Sequence, residues 1–451
     1  MWVQADATNY YAEHERKLLS EPKASGYQQN AFMILAQEVS TIACNDLTSQ
    51  GAACMSIEPY SSEAIPGWED FIESLRTLPE RMLTKLPEAQ RGDPQVRQEV
   101  ARLALASLAS QATTAIGADG DAPQFLPSLG QVYNIGQPNA DTVYRSAAIT
   151  PGGSYRIRGI RGTVNHTVLA QMVPQGVSVS GLRAHLHLSS LAADEHGRFD
   201  VLLSAEKPDD HSGDWWQLHP AAHTLLLRIV STDWAGEIAP TLAIERVDRP
   251  ISRPRTPAGV LEQRLRTLPR MVDMLALMFV DHHEQLRSEG FINRFKVFDV
   301  GAGALAGQFY YECAYDFAGD EALIIESDVP DKCPYRSLIL TNELYETTDW
   351  YNNHSSLNIH QAAPDSDGKL RIVVAHQDPG VKNWLDTAGH ARGVIQGRWT
   401  ECDSHPLPNA RLVKLRDLRD SLPADVAMVT PEERQSILRE RRRALLERSL
   451  W

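Results

Sequence analysis

One stretch of the sequence, residues 343–358, gathers tyrosines, carboxylates, amides and an imidazole within sixteen positions. A histidine or tyrosine can take and return a proton, a neighbouring carboxylate can orient that base, and amides can hold developing negative charge. A run this polar is not typical of a hydrophobic core. From it we predict four catalytic and three substrate-binding residues: His354, Tyr345, Tyr351 and Asp349, and Trp350, Asn353 and Asn358.

Three shorter segments, 138–145, 378–387 and 396–399, show the same mixture of large aromatic and hydrogen-bonding side chains. Tryptophan and tyrosine offer rigid faces to an aromatic ligand, and Asn, Asp and Arg can orient it. A second interpretation stays open, in which the Asn and Asp side chains cap turns and the tryptophans fill the ends of a β-sandwich. The residues predicted here are Tyr144 and Asp386 as catalytic groups, and Asn139, Asp141, Trp384, Arg398 and Trp399 as substrate-binding groups.

Alternating apolar residues predict antiparallel strands over much of the chain. In the block 123–250, Tyr155 and Ile157 and then Phe199 and Val201 recur at the spacing of a half-buried strand. A second block, 293–425, contains ALIIES, YRSLILTN and KLRIVVAH. We therefore predict an α+β protein with a mainly β core of two antiparallel, jelly-roll-like β-sandwich domains. A structural duplication relating the two blocks is left open.

Helical spacing of apolar residues predicts three further regions. Residues 1–122 form a helical N-terminal region of about three helices, the first carrying Phe32, Leu35, Val39 and Ile42 and the third beginning at Asp93 and Pro94. Residues 251–292 form a helical connector, bent at Pro269 and ending near Gly290. Residues 426–451 form a charged C-terminal helix that begins at a capping box from Thr430 to Glu433 and is solvated or packs against a subunit.

The composition limits the classes of partner. The 451 residues include 44 Lys and Arg against 58 Asp and Glu, which gives a net charge of -14. Because a negative chain repels phosphate backbones, we expect no nucleic-acid partner. No stretch is long and apolar enough to span a membrane and no targeting segment is evident, so we expect a cytoplasmic protein. The five cysteines form no C-x-x-C pair and are interpreted as ordinary thiols.

One glycine motif could indicate a nucleotide site. The strand FKVFDV is followed by Gly301 and Gly303, and Glu326 stands where a ribose-binding acid would fall. Strands and helices do not continue to alternate after Glu326, as a dinucleotide-binding fold requires. The alternative interpretation is a glycine-rich bend that enters the second β block.

Two histidine pairs also invite a functional interpretation. His185 and His187 project from one face of a strand, as paired metal ligands do, but no glutamate follows at the spacing of a cupin site. We therefore predict no metal, with these two side chains on a solvated or interdomain face. His282 lies on the apolar stripe of the connector and is predicted to be a core histidine, whereas His283 is predicted to face solvent.

Three segments carry a family resemblance: PNADTVYRSAAITPGGSYRI, EALIIESDVPDKCPYRSLILTNELYETTDWYNNHSSLNIHQA and DSDGKLRIVVAHQDPGVKNWLDTAGHARGVIQGRW. Over roughly residues 125–425 the chain resembles a bacterial family known as domain of unknown function 1214, with its frequent partner, domain of unknown function 1254. The resemblance implies tandem jelly-roll-like sandwiches. It brings no settled activity and no catalytic residues. Members of the family tend to occur in bacteria that break down aromatic or steroid-like compounds.

The aromatic, amide and imidazole groups together favour an enzyme that needs no cofactor. We expect a lyase or isomerase using general acid/base chemistry on a hydrophobic aromatic molecule held between the two β domains, such as elimination or retro-aldol release of a small aldehyde. A non-catalytic carrier or assembly module is the alternative, and a nicotinamide-dependent oxidoreductase is a third. The oligomeric state, including a homo-oligomer, is left open.

Overall fold

The computed structural model describes residues 65–164, 166–174, 185–298 and 307–448. Most of the described residues belong to one compact unit, within Ile65–Thr256 and Val260–Trp451. Within the described ranges, none of the helices is long and apolar enough to cross a membrane. The helix predicted around Phe32 and the glycine motif at Gly301 and Gly303 both lie outside the described residues.

In the described part of the chain, two five-stranded and two four-stranded sheets form two β-sandwiches, which confirms the predicted fold class. Neighbouring strands are antiparallel except in two pairs, Arg198–Ser204 with Asp214–Gln217 and Leu370–Ala375 with Trp384–Asp386. The first sandwich contains β1 Leu126–Pro127, β2 Thr142–Ala148, β3 Tyr155–Ile160, β4 His166–Met172, β5 His185–His187, β6 Arg198–Ser204, β7 Asp214–Gln217, β8 Thr224–Val230 and β9 Thr241–Arg246. The second contains β10 Lys296–Phe298, β11 Gln308–Asp316, β12 Glu321–Ser327, β13 Tyr335–Leu340, β14 Ser356–Asn358, β15 Leu370–Ala375, β16 Trp384–Asp386, β17 Arg392–Thr400 and β18 Asn409–Lys414.

The two sandwiches share one topology. The first has the sheets β1-β2-β8-β4-β5 and β7-β6-β3-β9, and the second has β10-β11-β17-β13-β14 and β16-β15-β12-β18. Adding nine to each strand number of the first sandwich gives the order of the second. The two β blocks are therefore a structural duplication, and each strand of one has an equivalent in the other.

Each sandwich has its own apolar core. Alternation along the strands directs Tyr155, Ile157 and Val201 into the first core and Leu323, Ile395 and Trp399 into the second, all fully or almost fully buried. Because successive side chains of a strand point to opposite faces, the residues between these core positions are free to line other surfaces. This is how Trp399 fills the second core while its neighbour Arg398 points away from it.

The described residues also include six α-helices. They are α1 Trp68–Thr84, α2 Glu88–Arg91, α3 Pro94–Gly117, α4 Ala258–Met278, α5 His282–Ser288 and α6 Pro431–Glu447. As predicted, α3 begins at Pro94, where the side chain of Asp93 accepts a hydrogen bond from the Gln95 amide at 2.8 Å. Buried apolar side chains of α1, α3 and α4, including Leu78, Val100 and Val272, form a third core.

The connector differs from the prediction. It is two helices, since the chain leaves helical geometry between Met278 and His282, while Pro269 lies inside α4. His283 was predicted to face solvent, and this is wrong: it is fully buried, with Nδ1 3.1 Å from Glu284 Oε1. Because the chain breaks between the two helices, the apolar face of α5 does not continue the apolar stripe of α4. A helical spacing extended from α4 into α5 therefore assigns His283 to the wrong face.

The C-terminal helix is held in the body of the protein. Its predicted capping box is present, with Thr430 Oγ1 and the Glu433 carboxylate each accepting from the other's backbone N–H. Arg434 and Arg441 are buried, although the charged sequence had predicted a solvated or subunit-packing helix. Arg441 Nε donates to the carbonyl of Trp350 at 2.8 Å, and its guanidinium lies 4.4 Å from the ring of Trp234. The helix therefore touches both sandwiches.

Candidate functional site

Equivalent five-stranded sheets of the two sandwiches border a shared cavity of about 260 Å³. This volume is slightly below the usual range for ligand sites, about 300 to 1,000 Å³, and suits a small molecule. The lining from the first sandwich includes Thr142, Tyr144, His166, His185, His187 and Arg228, and that from the second includes Phe298, Gln308, Tyr310, Tyr335, Gln396 and Arg398. The connector adds Phe279, and loops add Gln137, Asn139, Tyr345 and Glu401. The site thus combines aromatic surfaces with groups that can exchange protons or bind anions.

The duplication places the same pair of residues on each side of the cavity. In the first sandwich Tyr144 on β2 lies opposite Arg228 on β8, and in the second Tyr310 on β11 lies opposite Arg398 on β17. These strands occupy equivalent positions in the two sheets. Each sandwich therefore contributes one cross-strand tyrosine and arginine pair to the cavity.

Arg398 is the more deeply placed of the two arginines. It is 4% exposed, and its guanidinium lies 5.4 Å from the ring of Tyr310. Its Nη2 donates to Gln137 Oε1 at 3.2 Å. Among the described residues, Nη1 of Arg398 and Nε2 of Gln137 have no hydrogen-bond partner. Buried donors without partners are uncommon, and they mark this end of the cavity as suited to an acceptor or an anion.

Tyr345 lies on a turn whose geometry is fixed by its neighbours. The Asn342 side chain accepts from the backbone amides of Leu344 and Glu346, at 3.0 Å each, and Glu346 accepts from Arg102 of α3 at 2.7 Å. The backbone of Tyr345 has a φ of 62°, a left-handed conformation that is strained for a bulky side chain. The turn and α3 therefore hold the phenol in the cavity wall at some conformational cost.

Behind Tyr345 a short series of polar groups leads away from the cavity. Gln396 Nε2 donates to the Tyr345 hydroxyl at 2.7 Å, and that hydroxyl donates to Glu312 Oε2 at 3.3 Å. The other carboxylate oxygen of Glu312 accepts from His282 Nε2 at 2.9 Å. Glu312 is fully buried, and the imidazole of His282 packs on the ring of Tyr345 with centroids 4.6 Å apart. A phenol, a carboxylate and an imidazole in series can pass a proton.

A second buried network sets the orientation of Tyr335. Its hydroxyl donates to Asp141 Oδ2 at 2.6 Å and accepts from Asn139 Nδ2 at 2.7 Å. Asn358 and Trp234 donate to Asp141 Oδ1 at 2.7 and 2.8 Å. Burial raises the pKa of Asp141, although these hydrogen bonds act in the opposite direction. The network joins the two sandwiches at the edge of the cavity.

Burial governs the protonation of the aromatic and imidazole groups. It raises the pKa of Tyr310, and it raises those of Tyr335 and Tyr345 well above the usual value for a phenol. These phenols are therefore protonated at neutral pH. Burial also lowers the pKa of His166, which favours its neutral form.

The other end of the cavity has a different character. His166, His187 and Glu401 line it, and His187 Nε2 is 3.8 Å from Glu401 Oε1. These residues also border a neighbouring cavity of about 350 Å³. His185 and His187 thus lie between the two sandwiches, which is one of the two positions, solvated or interdomain, that the strand pattern predicted. Within the described parts of the chain, no three His, Cys, Asp or Glu side chains are grouped as a metal site would require.

The predicted site residues fall into three sets. Asn139, Tyr144, Tyr345 and Arg398 line the cavity. Asp141 and Asn358 lie behind its wall, bonded to each other and, through Asp141, to Tyr335. The structure does not bring the remaining eight to the cavity lining: His354, Tyr351, Asp349, Asp386, Trp350, Asn353, Trp384 and Trp399.

The polar stretch divides because the chain leaves the cavity after the turn at Tyr345. Asp349 accepts from the Tyr351 amide at 3.0 Å and so caps a turn, while Trp350 and Tyr351 pack with Ala444 and Leu445 of α6. Asn353 Nδ2 donates to the Asp349 carbonyl at 3.1 Å. These side chains have the capping and packing contacts of the alternative interpretation.

His354 and its partners form a separate structural cluster. The imidazole is buried, its Nδ1 bonds the Trp384 carbonyl, and burial lowers its pKa to about 3. Asp386 donates its backbone amide to the His354 carbonyl at 2.9 Å, and its carboxylate accepts from the Ala388 amide at 2.7 Å. Trp384 packs with Arg434 of α6, the guanidinium 5.1 Å from the ring. Trp399 lies in the second core, where its Nε1 donates to the Pro406 carbonyl at 3.0 Å.

The sequence interpretation missed several residues of the site: Gln137, Arg228, Glu312, Tyr310, Tyr335, Gln396 and the role of His282. Tyr310, Glu312 and Arg228 lie inside strands with no unusual local composition. A usable signal was the duplication, because the equivalence of β2 with β11 and of β8 with β17 relates Tyr144 to Tyr310 and Arg228 to Arg398.

Comparison with known proteins bears on the fold. No protein-family model matches the chain, and no curated protein matches it either. The chain is similar to the crystal structure of an uncharacterized protein from Burkholderia cenocepacia, with 28% identity and a TM-score of 0.70 over 78% of this chain and 97% of that one. A protein from Vibrio parahaemolyticus matches over 70% of this chain and 99% of its own, at 10% identity and a TM-score of 0.43. The Burkholderia structure supports the fold described above, and the weaker match adds nothing to it.

Proposed function

We propose that the protein is an enzyme, a lyase or isomerase that uses its own side chains for general acid/base chemistry on a small aromatic molecule bound in the cavity between the two sandwiches. The aromatic lining, which includes Phe279, Phe298, Tyr144 and Tyr310, supports an aromatic ligand. Members of the family that the chain resembles tend to occur in bacteria that degrade such compounds. Membership of that family is part of the proposal.

The observation that carries the proposal is the series Tyr345, Glu312 and His282. Of the three, Tyr345 lines the cavity, and Glu312 and His282 lie behind it. The Tyr345 hydroxyl is 3.3 Å from Glu312 Oε2, and Glu312 Oε1 is 2.9 Å from His282 Nε2. Because its pKa is raised, the Tyr345 phenol keeps its proton at neutral pH, and a protonated phenol is a weak base by itself. It becomes effective if its own proton can pass to a carboxylate as it takes one from the substrate.

The proposed reaction begins with a substrate hydroxyl placed against Tyr345. The Tyr345 oxygen accepts the hydroxyl proton while the phenolic proton moves to Glu312 Oε2. A carbon–carbon or carbon–oxygen bond next to the resulting alkoxide then breaks, as in retro-aldol release of a small aldehyde. Arg398 stabilises the negative charge that develops on the remaining fragment, and the proton returns through Tyr345.

A single experiment separates an enzyme from a carrier. The purified protein is incubated with aromatic compounds that bear a hydroxyl on the side chain, and the mixture is analysed by liquid chromatography and mass spectrometry. The proposal predicts a new product from at least one compound, formed in proportion to protein and time. Recovery of every bound compound unchanged would contradict the proposal and indicate the carrier or assembly module.

A further inference from the structure

The ionisable groups around the cavity are unevenly distributed. Arg228 and Arg398 both line it, and both act electrostatically on Tyr310, so their charges share one part of the site. Among the described lining residues the one carboxylate is Glu401, which lies with His166 and His187 at the other end. Glu312, behind the wall, is already bonded to His282 and Tyr345. The part of the cavity between the arginines is therefore cationic.

Two side-chain donors in this part of the cavity are available to a ligand. Arg398 Nη1 and Gln137 Nε2 lack partners among the described residues. The hydroxyl protons of Tyr345 and Tyr310 are already donated within the protein, to Glu312 Oε2 and to Gln308 Oε1. Guanidinium groups bind planar carboxylates through two parallel hydrogen bonds, and these bonds gain strength where water is excluded. A carboxylate complements both the charge and the donors.

We propose that the cavity binds a small aromatic carboxylate, with its carboxyl group between the two cross-strand pairs Tyr144–Arg228 and Tyr310–Arg398. This inference rests on the proposed function in taking the cavity as the ligand site, and it adds the chemical class of the ligand. The duplication is what brings an arginine from each sandwich to one anion. Phe279 and Phe298 would then face the aromatic ring.

The test compares charged and neutral ligands of one shape by isothermal titration calorimetry. The probes are cinnamate and 4-hydroxybenzoate, their uncharged amides, and inorganic phosphate. We expect each acid to bind at least about tenfold more tightly than its amide, because charge-assisted hydrogen bonds are replaced by neutral ones. Equal affinity of acid and amide, or tighter binding of phosphate than of either acid, would overturn the proposal.

Substitutions of single arginines test where the carboxyl group of the ligand binds. Arg398→Gln and Arg228→Gln should each reduce the preference for the acid about tenfold or more, while Arg156→Gln should leave it unchanged. Arg156 is a matched control because it lies on β3 of the outer sheet, paired with Asp200 at 2.7 Å. Arg228 is less buried than Arg398, so its variant keeps the test decisive if Arg398→Gln does not fold. Acid-selective binding without any turnover would refute the enzymatic proposal alone, whereas turnover of neutral compounds only would refute this one alone.

A separate pair of side chains carries a second inference. Tyr335 on β13 pairs with Thr400 on β17, and continuing that antiparallel register by two residues places Cys333 opposite Cys402. Their sulfur atoms are 3.3 Å apart, and both residues are partly exposed. Beyond them the two segments remain joined, because the Asp403 amide donates to the Lys332 carbonyl at 3.2 Å. Hydrogen bonds thus hold the two thiols together from both sides.

We infer that Cys333 and Cys402 form a reversible disulfide with a small disulfide such as oxidised glutathione as the oxidant. The Cys333 thiolate attacks one glutathione sulfur, the glutathione disulfide bond breaks, and one glutathione thiol leaves. The Cys402 sulfur, losing its proton, then attacks Cys333 and releases the second glutathione thiol. Two protein thiols are oxidised and one glutathione disulfide is reduced. The new bond would fix the strand ends that carry Tyr335 and Glu401 at the cavity.

Redox titration of a Cys44→Ser, Cys54→Ser protein tests this inference. After equilibration in glutathione buffers, peptide mass spectrometry should find a peptide pair joined through Cys333 and Cys402, which dithiothreitol separates. The oxidised form should melt about 5 °C higher than the reduced form. The buried Cys313 is an internal control and should stay unmodified. Glutathione adducts without the Cys333–Cys402 link, or no reaction at all, would overturn the inference.

Discussion

At the scale of single residues, the site depends on which polar side chains meet a partner and which do not. Tyr345 is bonded to Gln396 and Glu312, whereas Arg398 keeps one donor atom unpaired among the described residues. His354, a predicted catalytic residue, is buried in the second sandwich with its Nδ1 bonded to the Trp384 carbonyl. Residue type alone therefore does not separate groups that line the cavity from structural groups, because both sets are buried and hydrogen-bonded and differ in their position relative to the cavity.

His354 gives a prediction about turnover. His354→Asn retains an N–H that can donate to the Trp384 carbonyl and removes the imidazole. Since His354 does not line the cavity, we expect product formation and ligand affinity to stay within about twofold of the wild type. Steady-state kinetics check this. A loss of about a hundredfold in the rate of product formation would indicate that His354 takes part in catalysis.

His354 also gives a prediction about pH. Burial lowers its pKa in the folded protein to about 3, while an unfolded histidine has a pKa near 6.5. Between these values the unfolded chain binds a proton that the folded chain does not, so stability falls as the pH falls below about 6.5. Denaturant unfolding at pH 7 and pH 5 should show a larger loss of stability for the wild type than for His354→Asn. Equal losses would contradict the assignment.

At the scale of elements, close packing between β11 and β17 fixes the part of the cavity wall that contains Arg398. Gly397 lies opposite Tyr311, and a Cβ at this position would be 2.0 Å from Tyr311 Cζ. We expect Gly397→Ala to lower the free energy of unfolding by at least about 3 kcal/mol. Gly319→Ala is the matched control, since a Cβ there meets no atom within 4 Å, and it should change stability by less than about 0.5 kcal/mol. Similar melting temperatures for the two variants would contradict the described packing.

The sequence predicts the elements better than it predicts their assembly. Alternation marks β3, β6 and β12, and capping residues mark the starts of α3 and α6. Pairing order is not encoded in local spacing, so the meeting of Tyr144 with Arg228 could not be predicted from it. Of the seven site residues predicted in the stretch 343–358, one, Tyr345, lines the cavity. The pattern could not separate it from the others because capping groups and site groups share residue types. The helix break before His282 likewise depends on tertiary packing.

At the scale of the whole molecule, the C-terminal helix ties the two sandwiches together. Arg441 lies against Trp234 of the first sandwich and donates to the Trp350 and Ser356 carbonyls of the second. Arg448 reaches the carbonyl of Asp141 at 2.8 Å, next to the cavity network. The helix thus supplies some of the contacts that fix the distance between the Tyr144–Arg228 pair and the Tyr310–Arg398 pair.

This role predicts a difference between two arginines of one helix. Arg441→Gln leaves buried carbonyls unpaired and should lower the free energy of unfolding by about 3 kcal/mol. Arg439→Gln, at an exposed position of the same helix, should change it by less than about 0.5 kcal/mol. Chemical denaturation checks both values. A tolerated Arg441→Gln would show that the helix does not hold the sandwiches.

The most direct test of the central claim compares two tyrosines that lie close in sequence. On a compound that the enzyme converts, Tyr345→Phe removes the hydroxyl between the cavity and Glu312, whereas Tyr351→Phe removes one that does not line the cavity. We predict that Tyr345→Phe lowers kcat at least about a hundredfold with little change in ligand Kd, and that Tyr351→Phe keeps nearly full activity. Unchanged kcat in Tyr345→Phe would contradict the account.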